Sequence, residues 1–272
     1  MSDSIAPAAL VEDLVSAATR KVQLPVIDMA LRGLLSGAIL GIATSLVFTS
    51  LSQGLPPLVG AIIFPVGFVM LVLLGLELVT GNFAVLPMGL YREQIAPRAM
   101  LRSWLWVYLG NLAGSLLYAG LYWAVISTFG TTDGGAVGDI VRKAALTKTQ
   151  GYATHSMLGW LTAMTKAILC NWMVTMGTVL AFSSRSTAGR VVAMWLPITV
   201  FFAHGYEHAV VNMFVIPAGI LFDAPVSLSD WWWWNQIPVT LGNLVGGVLL
   251  TGLPLAYTYR NSAPTAQLPP RP

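Results

Sequence analysis

The sequence predicts an all-α membrane protein with six transmembrane helices. Of its 272 residues, 56% are hydrophobic and only 9% are charged, whereas a soluble domain has about 25% charged residues. The mean hydropathy is +0.73. A helix that crosses a bilayer needs about 20 apolar residues, and six stretches meet this requirement, over residues 26–50, 58–90, 101–128, 157–182, 191–222 and 236–259. The net charge of +3 is scattered, so a partner such as nucleic acid, which requires a basic face, is not expected.

The chain ends flank this six-span domain of residues 26–260. Residues 1–25 lack the basic start and apolar run of a signal peptide. They predict a cytoplasmic amphipathic helix, lying on the membrane surface or in solvent, whose apolar face holds Leu10, Val11, Leu14, Val15 and Ala18. Residues 261–272 predict a disordered cytoplasmic tail.

The second and fifth stretches are longer than one crossing requires, and each is interrupted by polar residues. The interruptions read ELVTGN at 77–82 and HGYEH at 204–208. A broken helix frees backbone N–H and C=O groups, which are tolerated at membrane depth only where they line a cavity or find buried partners. An ionisable residue at membrane depth raises the free energy of membrane insertion by about 3 kcal/mol, even on the insertion scale that gives the smallest cost. The functional site is therefore expected at the two interruptions.

Three motifs occur twice, in the same order and at nearly the same spacing. Residues 32–37 resemble 166–171, residues 77–82 resemble 207–212, and residues 110–114 resemble 242–246. Each half of the chain contains three spans, an odd number, so the second half is predicted to insert upside down relative to the first. Inverted repeats are typical of transporters and channels, whose substrate site lies near the midplane between broken helices.

The residues at the breaks have predicted supporting roles. Glu77 and Glu207 occupy equivalent positions and are expected to accept hydrogen bonds from the freed N–H groups, because a carboxylate facing the lumen would repel an anion. A glycine at a break is expected to adopt a positive φ or to allow close helix packing. The helix-break set consists of Glu77, Gly81, Asn82, Gly205, Glu207 and Asn212.

The positive charges predict the orientation. With both termini in the cytoplasm, ten Lys and Arg residues lie on the inner side and only Arg142, Lys143 and Lys148 on the outer side, which agrees with the positive-inside rule for a cell membrane protein. The run Trp231–Trp234 before the sixth span fits an aromatic belt at the outer interface, or aromatic core packing.

Four segments together resemble the formate/nitrite transporter family. They read GYEHAVVNMFVIP at 205–217, ILCNWMV at 168–174, ELVTGN at 77–82 and IPVTLGNLVGG at 237–247, and the similarity extends over residues 28–259. The resemblance implies an aquaporin-like protomer, a homopentamer in the lipid bilayer with one pore per subunit, and no cofactor. It implies passage of small monovalent anions such as formate or nitrite, with acetate, lactate, hydrosulfide or water as alternatives.

The same resemblance implies the residues of the substrate pathway. His208 matches the central pore histidine, Thr80 the threonine of the broken second helix, and Asn171 the asparagine that hydrogen-bonds the histidine. Apolar constrictions are implied at Phe64, Phe68 and Phe201 towards one end and at Leu78 towards the other.

One position departs from the family pattern. Members usually carry a lysine 16 positions before the asparagine, at the outer mouth, and this chain has His155 there, with Lys148 the nearest earlier lysine. Either the loop is shifted in register or a titratable histidine replaces the permanent charge. Lys166, in the fourth span, is expected to pair with a carboxylate.

The predicted mechanism combines an apolar pore with one polar centre. Desolvation penalises a bare anion, whereas its neutral conjugate acid passes more easily. A histidine with a pKa near 6.5 can exchange a proton at that centre, which couples passage to pH.

Other functions are also compatible with parts of the pattern. Residues 204–208 fit the H-x-x-E-H pattern of a zinc peptidase, although Gly205 interrupts the helix that would hold the ligands. A water or glycerol channel is expected to carry Asn-Pro-Ala motifs at its half-helix tips, and this sequence has none. An ammonium channel normally needs about eleven spans, whereas this chain has six predicted spans.

Overall fold

The computed structural model describes residues 3–261 and is helical throughout, with no β-strand among those residues. The all-α prediction is therefore confirmed. The α-helices in chain order are Pro7–Gln23 (α1), Val26–Ser52 (α2), Pro57–Ile63 (α3), Pro65–Leu73 (α4), Val79–Tyr91 (α5), Pro97–Ile126 (α6), Gly135–Lys148 (α7), Gln150–Ala153 (α8), Ser156–Leu180 (α9), Thr187–Ala203 (α10), Ala209–Leu221 (α11), Leu228–Trp231 (α12), Ile237–Gly247 (α13) and Leu253–Thr258 (α14). Two π-helical segments, Trp232–Gln236 and Val248–Gly252, join α12, α13 and α14.

Within residues 3–261, three helices are long and apolar enough to cross a membrane: Val26–Ser52, Pro97–Ile126 and the composite helix Leu228–Thr258. Shorter apolar helices of 10–17 residues run over Pro57–Leu73, Thr187–Ala203 and Ala209–Leu221. The shorter helices belong to the second and fifth apolar stretches of the sequence, where the helix ends and then resumes.

Small residues bring the long helices into backbone contact. A Cβ added at Gly37 of α2 would overlap the carbonyl group of Asn111 in α6, and one added at Gly114 of α6 would overlap that of Leu34. The α9–α13 contact is built in the same way, because a Cβ at Gly246 would overlap the carbonyl of Ile168. Close packing of small residues is a common basis for helix association in membranes.

Helix α1 packs against the protein, not against a membrane surface or solvent as the sequence suggested. Leu10, Val11, Leu14, Val15 and Ala18 are all buried, mainly by contact with α5. Helix α7 packs on α11 in the corresponding way. The two pairs of helices also share a single close contact. A Cβ added at Gly89 of α5 would meet Ala18 of α1, and a Cβ added at Gly219 of α11 would meet Ala145 of α7. The predicted tail beyond residue 261 lies outside the described residues.

Candidate functional site

The two helix interruptions have the same backbone conformation. Helix α4 ends at Leu73 and α5 begins at Val79, whereas α10 ends at Ala203 and α11 begins at Ala209. The N-cap residue of α5 is Leu78, with φ −117° and ψ 118°. The N-cap residue of α11 is His208, with φ −116° and ψ 120°. Each extended residue therefore leads into the N-terminus of a half-helix inside the protein.

Two buried asparagines, which sequence reasoning did not assign to the site, satisfy the backbone at these breaks. Asn111 Oδ1 accepts from Val79 N–H at 3.0 Å, and its amide donates to the carbonyl of Glu77 at 3.0 Å. Asn243 Oδ1 accepts from Ala209 N–H at 2.8 Å, and its amide donates to the carbonyl of Glu207 at 3.0 Å. The repeated G-N-L-x-G motif thus supplies the partners of the freed backbone groups.

The two glutamate side chains do not accept from the freed N–H groups, which corrects the sequence-based expectation. The Glu77 carboxylate accepts from Lys21 Nζ at 2.9 Å and from Asn82 Nδ2 at 2.8 Å. The Glu207 carboxylate accepts from Lys148 Nζ at 2.8 Å and from Asn212 Nδ2 at 2.7 Å. The sequence-predicted asparagines therefore hold the carboxylates, and each carboxylate also pairs with a lysine from a peripheral helix.

The Glu207 network is the larger of the two. Tyr152 donates its hydroxyl to Glu207 Oε1 at 2.7 Å. Asn235 bridges Asn212 and the backbone of Lys148, accepting at 2.8 Å and donating at 2.8 Å. The Glu207 side chain is nearly inaccessible to solvent, with a relative accessibility of 4%. A buried carboxylate requires such partners, because an unpaired one would carry a large desolvation penalty.

Thr80 and His208 meet at the centre of the protein, where the N-termini of α5 and α11 converge. Thr80 Oγ1 lies 2.9 Å from His208 Nε2, and both residues are buried. His208 Nδ1 accepts from Val211 N–H at 3.2 Å. Because Nδ1 is an acceptor, a neutral ring carries its proton on Nε2 and donates it to Thr80. Both half-helix N-termini direct positive partial charge to this point.

Asn171 contacts this centre through Thr80 and not through the histidine, contrary to the implication of the family resemblance. Its amide donates to the backbone carbonyl of Thr80 at 3.1 Å and to that of Asn243 at 2.6 Å. Its Oδ1 is buried without a hydrogen-bond partner among the described residues. Asn171 therefore links the backbone of α5, at the first break, to the backbone of α13, whose Asn243 side chain supports the second break.

A cavity of about 410 Å³ lies on one side of the centre and is called the Leu78 cavity. Leu78, Phe68 and Leu71 form apolar parts of its wall. Its charged lining residues are Arg20, Lys21, Arg32 and Glu77. Cations thus outnumber carboxylates, and the cavity favours anions.

A second cavity, of about 150 Å³, includes His208 in its lining and is called the His208 cavity. Phe201 stacks on His208 with ring centroids 5.8 Å apart, and Phe64 meets Phe201 edge-on at 5.8 Å. Phe68 lines the Leu78 cavity instead, so its predicted grouping with Phe64 and Phe201 is wrong.

Lys148, and not His155, is the cation of the His208 cavity. His155 is exposed and lines a separate cavity of about 250 Å³ together with Lys166. The lysine therefore comes from the end of α7, before the short helix α8 and seven positions before His155, and its Nζ reaches Glu207. No carboxylate pairs with Lys166 within residues 3–261, in contrast to the expectation.

The glycines of the breaks differ in their roles. Gly205 has φ +61°, and the corresponding glycine of the first break is Gly75 with φ +65°, which the sequence analysis missed. Gly81 lies within α5 and allows a close approach, since a Cβ there would lie 3.0 Å from Thr178 Oγ1. The signal for Gly75 was available, because Gly75 and Gly205 share the spacing of the Glu77 and Glu207 repeat.

The histidines of the H-x-x-E-H pattern point to different surroundings. His204 Nδ1 lies 2.8 Å from the carbonyl of Val200, and its ring stacks on Tyr206 at 5.2 Å. Within residues 3–261, no group of three His, Cys, Asp or Glu side chains is arranged to hold a metal ion.

Comparison with known proteins places this geometry in a family. The family model described as formate/nitrite transporter matches residues 8–257. The chain is 37% identical over 213 residues to a probable formate transporter of Methanothermobacter thermautotrophicus, covering 76% of each chain. It also resembles a solved structure described as an FNT family ion channel, with a TM-score of 0.80 and 28% identity, covering 92% of this chain and 98% of the other.

A second solved structure has the same fold. It is described as a pentameric formate channel with formate bound, and the TM-score is 0.69 at 26% identity, covering 86% of this chain and 96% of the other. The matched family model spans nearly the whole described chain, including both helix breaks and the Thr80–His208 contact. The protein therefore belongs to the formate/nitrite transporter family, as the sequence motifs predicted.

Proposed function

We propose that the protein is a membrane channel for formate or nitrite in which passage depends on proton exchange at His208. The observation that carries this proposal is the buried Thr80–His208 contact of 2.9 Å between two half-helix N-termini. It lies between the Leu78 cavity and the His208 cavity, each of which has a lysine in its lining.

The electrostatics of the two cavities favour anion entry. Lys21 and Lys148 bring positive charge to the two sides, and the half-helix N-termini extend the positive potential to the centre. Each lysine is paired with a glutamate, so the net attraction is moderate. An anion can therefore be concentrated near the centre without being bound so tightly that it cannot leave.

The apolar residues on either side of the centre oppose passage of a bare anion. Leu78 lines one cavity and Phe201 the other, and neither side chain can replace the water of hydration of an anion. A neutral acid carries a much smaller desolvation cost. The step that permits passage is therefore transfer of a proton to the anion at the polar centre.

His208 is the group suited to this transfer. In the neutral ring Nε2–H faces Thr80 and Nδ1 holds Val211 N–H. The neutral ring does not release its Nε2 proton, so the ring must first take up the proton that it gives to the anion, forming the imidazolium. Protonation of Nδ1 would remove the Val211 N–H bond, so the imidazolium is short-lived. It transfers a proton to the anion and becomes neutral again, and the neutral acid carries that proton to the side with the higher pH.

The proposed membrane arrangement has six spans in two inverted repeats of three, with broken second and fifth helices. The repeated Asn111 and Asn243 contacts and the paired Lys–Glu bonds support the repeat. Both termini lie in the cytoplasm of a cell whose plasma or inner membrane holds the protein, and five subunits assemble in the lipid bilayer, each with its own pore.

A proteoliposome flux assay tests the proposal. Formate, nitrite, lactate and hydrosulfide are offered in turn across an imposed pH gradient, with protein-free liposomes as the control. The proposal requires fast formate or nitrite entry that increases as the outer pH falls. Failure of both anions to enter faster than in protein-free liposomes would contradict it, and preference for lactate or hydrosulfide would change the assigned substrate.

A further inference from the structure

Lys166 is a cation inside an apolar helix and has no anionic partner among residues 3–261. It lies in α9, about 15 Å along the helix from its start at Ser156. Its nearest described partner is the Tyr152 ring, whose centroid is 5.8 Å from Nζ. Lys166 is only partly buried, and a cation–π contact offsets its charge only weakly. The ammonium is therefore available to an anion from outside the described residues.

The cavity beside Lys166 is suited to an oxyanion. This Lys166 cavity has a volume of about 250 Å³, and no Asp or Glu lines it. Thr147 and Thr162 also line it, but their hydroxyls already donate to helix carbonyls at 2.9 and 2.7 Å. The Lys166 ammonium and the His155 imidazole are thus the side chains that remain to donate to a ligand.

The Lys166 cavity is separate from the proposed anion path. It shares no lining residue with the His208 cavity. Tyr152, in the wall of the Lys166 cavity, donates its hydroxyl to Glu207 Oε1 at 2.7 Å, and its ring centroid lies 5.8 Å from Lys166 Nζ. A ligand in this cavity is therefore bound outside the His208 cavity.

The surroundings of the cavity point to a lipid. Met157, Leu158 and Leu161 on α9 are 63%, 73% and 46% exposed, as is expected of a face in contact with acyl chains. Helical side chains lean towards the helix N-terminus, so in the proposed six-span arrangement, on which this inference rests, Lys166 extends towards the membrane interface, where lipid headgroups lie. We propose that the Lys166 cavity binds the phosphate oxyanion of an anionic membrane lipid, held by Lys166 and His155.

Native mass spectrometry of the detergent-extracted assembly, loaded with phosphatidylglycerol or phosphatidylcholine, tests this inference. Lys166→Gln should reduce phosphatidylglycerol retention about fivefold, the effect of one basic residue at an anionic surface. Lys166→Arg should retain the lipid. The matched control is Lys143→Gln, which removes an exposed lysine of α7, and it should behave like the unmodified protein.

A competition arm with inorganic phosphate identifies the source of the oxyanion. The proposal requires phosphatidylglycerol to remain bound at millimolar phosphate. Binding of phosphate without lipid retention would overturn the lipid assignment. Equal lipid retention by Lys166→Gln and the unmodified protein would overturn the site, as would a neighbouring subunit's carboxylate in contact with Lys166. Retention is measured independently of anion flux, so it remains informative whichever anion the channel passes, and an unchanged gel-filtration profile confirms folding of each variant.

Discussion

Replacement of Asn243 by alanine should strongly destabilise the protein and impair transport. The Asn243 side chain accepts from Ala209 N–H at 2.8 Å and donates to the carbonyls of Ala167 and Glu207 at 2.8 and 3.0 Å. Asn243 is fully buried, so water does not replace these partners. The Ala167 carbonyl keeps its helical hydrogen bond within α9, so Ala209 N–H and the Glu207 carbonyl are the groups left unsatisfied. At about 1–3 kcal/mol for each group, the two together cost at least about 2 kcal/mol.

This loss should be measurable as a change in thermal unfolding of the detergent-extracted assembly. At about 2–4 °C per kcal/mol for a chain of this size, the midpoint should fall by roughly 4–8 °C. Asn111→Ala, at the equivalent position of the first half, should give a similar decrease. The control Asn261→Ala removes an exposed asparagine at the end of the described chain and should change the midpoint little. A midpoint for Asn243→Ala within 2 °C of that control, on the same scale, would refute the role of Asn243 at the break.

Three further predictions concern other parts of the site. Gly205→Ala, at φ +61°, should destabilise the protein by about 1–2 kcal/mol, measured by thermal unfolding; an unchanged midpoint would show that the strained conformation is dispensable. Lys148→Gln leaves Glu207 buried without its cation and should lower the free energy of unfolding by roughly 3–5 kcal/mol. The double variant Lys148→Gln/Glu207→Gln should recover part of this loss, and absence of recovery would argue against a coupled pair. Gly37→Ala should reduce the yield of folded assembly on gel filtration, because its Cβ would overlap the carbonyl of Asn111, and normal yield would show that α2 and α6 can separate.

The two interruptions and the residues Thr80 and His208 could be picked out of the sequence because their signals are local. Polar residues within long apolar stretches indicated both interruptions, and the repeated motifs indicated that they are equivalent. The third motif, containing Asn111 and Asn243, was recognised as a repeat but not as the partner of the freed backbone. The reason is that this partnership depends on packing between helices far apart in the sequence.

The lysine partners of the two glutamates were missed for a similar reason. Lys21 and Glu77 are 56 positions apart, and Lys148 and Glu207 are 59 positions apart. Each lysine lies at the end of a peripheral helix, and the sequence did not indicate that α1 and α7 would pack over equivalent half-helices. The match of His155 to a lysine position assumed a fixed loop length, whereas the structure supplies the cation from α7 instead.

Helical periodicity also could not predict which cavity each phenylalanine side chain lines. Phe64 and Phe68 are four positions apart and would share one face of a continuous helix. The Phe64 ring nevertheless meets the rings of Phe201 and Phe202, whereas Phe68, one turn further on, lines the Leu78 cavity. The spacing alone did not show which cavity each ring reaches.

The most direct test of the central claim is the pH dependence of formate flux in His208→Asn proteoliposomes. Asparagine keeps an approximate size and a polar group next to Thr80, but it cannot exchange a proton. The substitution should leave the assembly intact by gel filtration and remove the increase in formate uptake that follows acidification of the outer solution. An unmodified pH profile in a correctly assembled His208→Asn protein would contradict proton exchange at His208.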